Sequence, residues 1–463
     1  MTSQATKTGT SYGPELLVAL RGGRRRAQLE DRLRELVREG TLTAGSRMPS
    51  TRALAGDLGV SRRLVVDAYG QLLAEGYLVA RRGAGTYVAA AATAEDVELA
   101  APSSGRPQFD FFPGAPDLSA FPRGQWLRAM REVLRTAPDE TFAYPDAAGA
   151  PELRQALSAY LRRVRGVVAE PEAVVVCAGV TQGLALLARA LLSQGVSEID
   201  IEDPGLPPHR AVLAYAGLNV HGARVDEQGL VVSSLRSRVV LTTPAHQCPT
   251  GVVLSPGRRG ELLRWAREGG LVIEDDYDAE FRYDRAPLGA LQGLAPDRVV
   301  YLGTVSKTLA PGMRLGWLVV PAALREAVIA AKALDDLGNA ALDQLVLARM
   351  LQTAAYDRHL RKARRRNRAR RDALMAAFAR ELPAARVSGI SAGLHALVGL
   401  PRAVEMQALL QAARASSLGL YPLNVHRFDT GGEVEQLVMG YANLSEPAIA
   451  EGVRRLARVL DGL

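Results

Sequence analysis

The sequence is poor in cysteine. Its 463 residues contain two, Cys177 and Cys248, far apart and without CxxC or Cys/His spacing. A disulfide framework and a zinc ribbon are therefore excluded, and the usage suits a reducing cytoplasm. No apolar run reaches the roughly 18 residues that a membrane-spanning helix needs. The opening MTSQATKTGT also lacks the apolar stretch of a secretory signal. The expectation is a cytoplasmic protein with no membrane span and no metal site. No internal repeat of about 20–50 residues is visible, which leaves out a solenoid.

What is present is the balance of a globular chain, 48% hydrophobic and 23% charged. The length calls for two or three domains. Charge is uneven: residues 1–90 carry 14 Lys and Arg against 8 Asp and Glu, a net +6 of the +8 of the whole chain. Such an asymmetry suggests an N-terminal module that meets a polyanion, most simply nucleic acid.

That module, residues 1–88, reads as three helices and a hairpin. Leu29, Leu33, Leu36 and Val37 recur at helical spacing, and Gly40 ends the first helix. Ser50 or Thr51 caps a second short helix with Leu54 and Leu58 on its inner face. After a turn at Gly59, Ser61 caps a third, and two helices joined by a tight glycine turn form a helix-turn-helix. The runs YLVA and TYVA then flank Arg81, Arg82 and Gly85, giving a wing with a basic, glycine-rich tip. Arg62 and Arg63, just after Ser61, stand where a recognition helix meets base edges. Arg52, Arg81 and Arg82 are placed for phosphates. Residues 89–107 lack periodicity and read as a linker.

Beyond the linker, residues 108–463 alternate apolar strands (AVVVCAG, EIDIED, RVVLTTPA, LVIEDDY, RVVYLGT, WLVV) with helical patterns. Strands of that kind indicate an α/β unit whose mostly parallel sheet is covered on both faces. From about residue 322 the chain turns helical and then returns to short strands, so a large lobe to about 321 and a smaller α+β lobe after it are expected. Functional residues should lie in loops at the strands' carboxyl ends.

Four such loops carry chemistry. In YLGTVSKTLAPGMRLGW, Lys307 follows a strand beside Thr304, Ser306 and Arg314. An amine there suits Schiff-base formation with an aldehyde, and the hydroxyls and guanidinium suit a phosphate. In LVIEDDYDAEF, Asp275 and Tyr277 stand two apart at a strand end, hence on one face. A carboxylate opposite a pyridinium nitrogen and a phenol beside a ring hydroxyl are what a protein supplies to pyridoxal phosphate. CAGVTQG breaks a strand at Gly179 and opens a helix near Val180 and Thr181, whose free amides suit an anion. TPAHQCPTG brings His246 and Cys248 into a polar loop after a strand. A histidine there either approaches the cofactor or is a hydrogen-bonded structural residue.

With these motifs in order, the second unit resembles a fold-type I aminotransferase. The upstream segment PSTRALAGDLGVSRRLVVDAYGQLLAEGYLVARRGAGTYV resembles a GntR-type winged helix-turn-helix. Their fusion resembles the MocR-type transcriptional regulators over nearly the whole chain. The resemblance implies pyridoxal phosphate as cofactor, Lys307 as the Schiff-base lysine, Asp275 at the pyridinium nitrogen and Tyr277 at the ring hydroxyl. It implies Thr304, Ser306, Arg314 and the backbone of Val180 and Thr181 at the phosphate. It further implies a homodimer on two half-sites of operator DNA.

Two departures bear on function. Val438, in LVMGYA, stands where fold-type I transaminases carry an arginine for the substrate carboxylate. In EDPGLPPHR, Leu206 and Pro208 replace the tyrosine and arginine of GABA-responsive members. Arg210 and Arg282 are the nearby arginines that could substitute. These changes favour a member that senses pyridoxal phosphate itself, with vitamin B6 synthesis genes as its target. The alternative is an active aminotransferase carrying a DNA-binding appendage. The run RKARRRNRARRDAL, residues 361–374, reads as a helix with its arginines in solvent.

Overall fold

A computed structural model describes residues 24–81, 84–89, 107–278, 280–284, 288–389 and 391–463. The chain divides into two compact units between Ser104 and Gly105. Most of the expected linker, and Arg82 at the expected wing tip, lie outside the described residues.

The N-terminal unit contains α1 (Arg25–Arg38), α2 (Thr51–Leu58) and α3 (Arg62–Ala74), then the antiparallel hairpin β1 (Leu78–Arg81) and β2 (Gly85–Val88). Ser50 and Ser61 cap α2 and α3 by accepting from Ala53 N and Leu64 N. Gly59, in the left-handed region at φ 61°, ends α2 where a side chain would be strained. Leu29, Leu33, Leu54, Val65 and Leu72 form the core, with Leu78 and Val88 closing it from the hairpin.

The second unit is built on an eight-stranded sheet. Its elements up to the sheet's end are β3 (Phe109–Asp110), α4 (Arg123–Thr136), α5 (Pro151–Arg165), β4 (Val174–Cys177), α6 (Val180–Ser193), β5 (Glu198–Asp203), α7 (Pro207–Tyr215), β6 (Asn219–Asp226), β7 (Gly229–Leu230), β8 (Val239–Thr242), α8 (Pro256–Arg267), β9 (Leu271–Asp275), β10 (Val299–Thr304) and β11 (Gly316–Val319). The strand order is β4-β11-β10-β9-β8-β5-β6-β7. β5, β6, β8, β9 and β10 are parallel, whereas β11 and β7 run against their neighbours. Four-residue β4, β8 and β11 are buried throughout, as strands covered on both faces must be. The strand β6, next to the short edge strand β7, escapes a periodicity reading because its polar NVHGARVD is mostly half-exposed.

The rest comprises α9 (Ala322–Asp336), α10 (Ala341–Gln352), α11 (Ala355–Glu381), β12 (Arg386–Ser388), β13 (His395–Val404), α12 (Met406–Ala415), β14 (Leu418–Gly419), β15 (Val434–Gly440) and α13 (Glu446–Asp461). The lobe boundary differs from the one expected at about 321. Leu324 and Val328 of α9 pack into the large-sheet core, and Val346 and Met350 of α10 pack with α4 and α5. The crossing occurs inside α11, where Tyr356 and Leu360 belong to the large core, and Ala363, Leu374 and Phe378 to the small one. The boundary falls inside one continuous helix, between Ala363 and Leu374, where no turn or helix-breaking residue marks it for a sequence reading. Phe109 and Phe111 join the small core from the other end of the unit, through the pairing of β3 with β14.

The arginine run also departs from a purely solvated face. Arg364 donates to the carbonyl of Glu280, and Arg366 and Arg370 engage Asp117. These arginines tie α11 to neighbouring segments, while Arg361, Arg365 and Arg368 remain exposed.

Leu72→Ala, in the N-terminal core, should cost about 2–5 kcal/mol. All three tryptophans, Trp126, Trp265 and Trp317, lie in the larger unit. The variant's far-UV circular dichroism melt should therefore begin below its tryptophan-fluorescence melt. Coincident melts would show that the two units unfold together.

Candidate functional site

The carboxyl ends of β4, β9 and β10 open on a cavity of about 430 Å³, within the range of small-molecule sites. Asp275, Tyr277, Thr304, Ser306, Lys307, Arg314, Val180 and Thr181 all line it. The alternation of β9 explains the division of its acidic end. Glu274 accepts from the amides of Leu291 and Gln292, and Asp276 is bound by Arg165 Nε and Tyr301 Oη, both at 2.6 Å. Those two carboxylates serve the scaffold. Asp275, between them, faces the cavity.

Asp275 is 2% exposed, and neither carboxylate oxygen has a hydrogen-bond partner among the described residues. His209 Nε2 lies 3.8 Å from Oδ2, too far for a hydrogen bond. Burial, aided by Asp276, raises the Asp275 carboxyl to about 8, and burial and Lys307 push His209 down to about 4. Burying a carboxyl group without a hydrogen-bond partner is costly.

The turn into α6 is tightly packed. Gly179, at φ 85°, precedes α6, whose first amides have no side-chain cap. A Cβ on Gly179 would lie 3.0 Å from Arg314 Nη2, and one on Gly316 would lie 2.9 Å from Gly179 Cα. Arg314, itself left-handed at φ 49°, donates to the Ala178 carbonyl. Thr304 and Ser306 divide their work. Thr304 Oγ1 contacts Leu315 O at 3.1 Å and accepts from Ser306 N, shaping the loop, while Ser306 also presents its hydroxyl at the cavity. Lys307 Nζ donates to Gly114 O at 2.9 Å.

His246 is not among the residues that line the cavity. It is buried, and its Nδ1 lies 3.0 Å from Asp278 Oδ2. Tyr277 Oη donates to the His246 carbonyl at 3.1 Å. The histidine thus braces Tyr277 through its backbone carbonyl. Cys248 does line the cavity, with its thiol pushed up by burial. Leu206 and Pro208 line it as well. Val438 pairs with Leu397 two residues from the His395–Gly440 pair, hence on the same sheet face, and packs against Leu397 and Leu423. Neither substitute arginine reaches the opening. Arg210 donates to the Arg427 carbonyl and lies over Phe428, and Arg282 pairs with Asp284. His209, His395, Tyr421 and His426, also at the cavity, escaped the sequence reading because isolated residues on separate segments carry no spacing signal.

In the N-terminal unit, Arg52, Arg62 and Arg63 are exposed and form no ion pair among the described residues. Ser61 spends its hydroxyl on the α3 cap. Arg81 lies over the Tyr87 ring at 4.6 Å. Gly85, at φ 109°, admits Arg47: a Cβ there would sit 3.3 Å from its Nε. Arg47 is a further exposed cation on the hairpin that the spacing of the basic residues did not suggest.

Residues 25–88 match the family described as bacterial regulatory proteins, gntR family, and residues 115–456 match aminotransferase class I and II. The chain belongs to the MocR-type regulators. It is 32% identical to a probable rhizopine catabolism regulatory protein, MocR, of Rhizobium meliloti, over 93% of this chain and 92% of that protein. It is 33% identical to the pyridoxine biosynthesis transcriptional regulator PdxR of Corynebacterium glutamicum, covering 91% and 93%. Among solved structures it resembles the α-aminoadipate aminotransferase LysN of Thermus thermophilus, complexed with N-(5'-phosphopyridoxyl)-L-leucine. That likeness has a TM-score of 0.69 at 27% identity, over 76% of this chain and 92% of that one. MocR-type regulators join a DNA-binding module to an aminotransferase-like one, as this chain does. Among the described residues, no helix is long and apolar enough to cross a membrane.

The Asp275 carboxyl yields a stability prediction for cofactor-free protein. Its value of about 8 in the fold stands above an unfolded value of about 4. Between those pH values the folded state holds a proton that the unfolded chain has released. Stability therefore falls as pH rises, by up to about 1.4 kcal/mol per pH unit from this group. Melting temperatures measured from about pH 5 to 8 should decline less steeply in Asp275→Asn than in the parent. Parallel declines would show that Asp275 is ionised throughout.

Proposed function

We propose that the regulator holds pyridoxal phosphate in this cavity and that occupancy by the cofactor sets its affinity for operator DNA. The observation that carries this is Asp275, a buried carboxylate with no protein partner beside a lysine and a side-chain-free anion cradle. A pyridinium N–H is the donor that Asp275 lacks. Arg314, Ser306 and the amides at Val180 and Thr181 would hold the phosphate, and Tyr277, its proton given to the His246 carbonyl, offers lone pairs to the ring hydroxyl. The cofactor supplies an aldehyde that condenses with amines. Lys307 is the amine within the cavity, and Gly114 O orients it.

In this reading the chain works as a cytoplasmic homodimer, one winged helix on each half-site, and controls genes of vitamin B6 synthesis. The carboxylate anchors missing at Val438, Leu206 and Pro208 favour regulation over transamination.

Borohydride treatment of purified protein, followed by peptide mapping, should place the cofactor on Lys307, and Lys307→Ala should remove the near-visible absorption. Labelling of another lysine would overturn the assignment.

DNA binding divides by position. Alanine at Arg62 and Arg63 should lose about 1–3 kcal/mol of discrimination per specific base contact removed. Alanine at Arg81 and Arg82 should weaken operator and random DNA alike and flatten the salt dependence. Fluorescence-anisotropy titrations over a salt series distinguish the two effects. Undiminished discrimination by the Arg62/Arg63 variant would place base reading elsewhere.

A further inference from the structure

The small-lobe side of the cavity has a chemistry of its own. His395 Nε2 donates to Pro249 O at 3.2 Å, and His426 Nδ1 donates to Gly205 O at 3.1 Å. A carbonyl only accepts, so each ring's N–H is spent and the other nitrogen is left as an acceptor in the neutral imidazole. His395 is 3% exposed, and its Nδ1 has no partner among the described residues. Burial lowers the pKa of both rings, and for His395 the neighbouring His246, 5.2 Å away, adds to the effect. Both therefore remain neutral near pH 7. Tyr421 likewise gives its hydroxyl proton to Asp110 Oδ1, at 2.8 Å.

Among the described residues, the arginines and lysines at the cavity are Lys307 and Arg314, and both belong to the cofactor cradle. A ligand carboxylate on the small-lobe side would face acceptors and no fixed cation, an unpaired burial that is strongly disfavoured. Hydroxyl groups would find lone pairs, and the apolar surfaces of Phe112 and Val425 would cover a short carbon skeleton.

We infer that this side of the cavity binds a hydroxylated primary amine without a carboxylate, an amino alcohol whose hydroxyl protons are accepted by His395 and His426. The inference rests on the cofactor reading above, because the cofactor's aldehyde is what selects an amine.

Serinol and serine form a matched pair of probes, differing by a hydroxymethyl group in place of the carboxylate. Each is titrated into full-length, cofactor-loaded protein, following the cofactor absorption and the melting temperature. Serinol should saturate both signals and bind at least about tenfold more tightly than serine, the effect of roughly one hydrogen bond gained or lost. Phe at His395, or separately at His426, should reduce that preference to within about threefold while leaving the cofactor absorption before titration in place. Equal or tighter binding of serine, no binding of serinol, or an unchanged preference in both folded variants would overturn the inference. The parent protein's comparison of serinol with serine stands even if a variant does not fold. Cofactor absorption missing before any amine is added would instead overturn the cofactor reading, and this inference with it.

Discussion

The buried contact of Asp276 with Arg165 and Tyr301 holds the functional end of the sheet in place. Arg165 comes from the end of α5, Tyr301 from the middle of β10, and Asp276 from the first residue past β9. Arg165 also donates to the Leu288 carbonyl, which binds the segment before β10. All three side chains are buried, so losing one partner would strand a charge in the interior, at a cost of about 3–5 kcal/mol. With Asp276 committed in this way, the pleat leaves Asp275 facing the opening. The parallel register Leu302↔Asp275 then sets the end of β10, and with it the loop of Lys307, beside that carboxylate.

The cavity divides its polar groups by which lobe supplies them. On the large-lobe side, cations and free amides gather around one unsatisfied carboxylate. On the small-lobe side, neutral rings offer lone pairs. Positive charge there would have to come from β15, where Val438 is buried against Leu397 and Leu423. An apolar cluster at that point replaces an anchor for acids with a wall. This difference separates the cavity from one built to hold an amino acid by its carboxylate.

Much of this was legible in the sequence because the determinants are local. The caps at Ser50 and Ser61, the turn at Gly59, the hairpin about Gly85 and the apolar strands each depend on a few consecutive residues. Motifs at strand ends announced Lys307, Asp275, Tyr277 and Arg314 for the same reason. His246 was legible as a polar loop residue, but its burial depends on contacts with Tyr277 and Asp278 from the segment after β9. No local pattern records that packing. The lobe boundary was hidden because it falls inside α11, where no turn or helix-breaking residue marks it.

The sequence by itself determined the two kinds of module, the strand-end loops that carry the chemistry and the absence of an arginine at residue 438. Those features follow from periodicity, turn chemistry and residue identity, which are properties of short segments. Only the tertiary structure decided that Asp275 lacks a partner while Asp276 is paired. It alone brought His395 and His426 from separate segments to one cavity and left Arg210 and Arg282 outside its lining. Hydrogen-bond partnership and burial are set by contacts between residues distant in the chain, and a linear pattern carries no record of them.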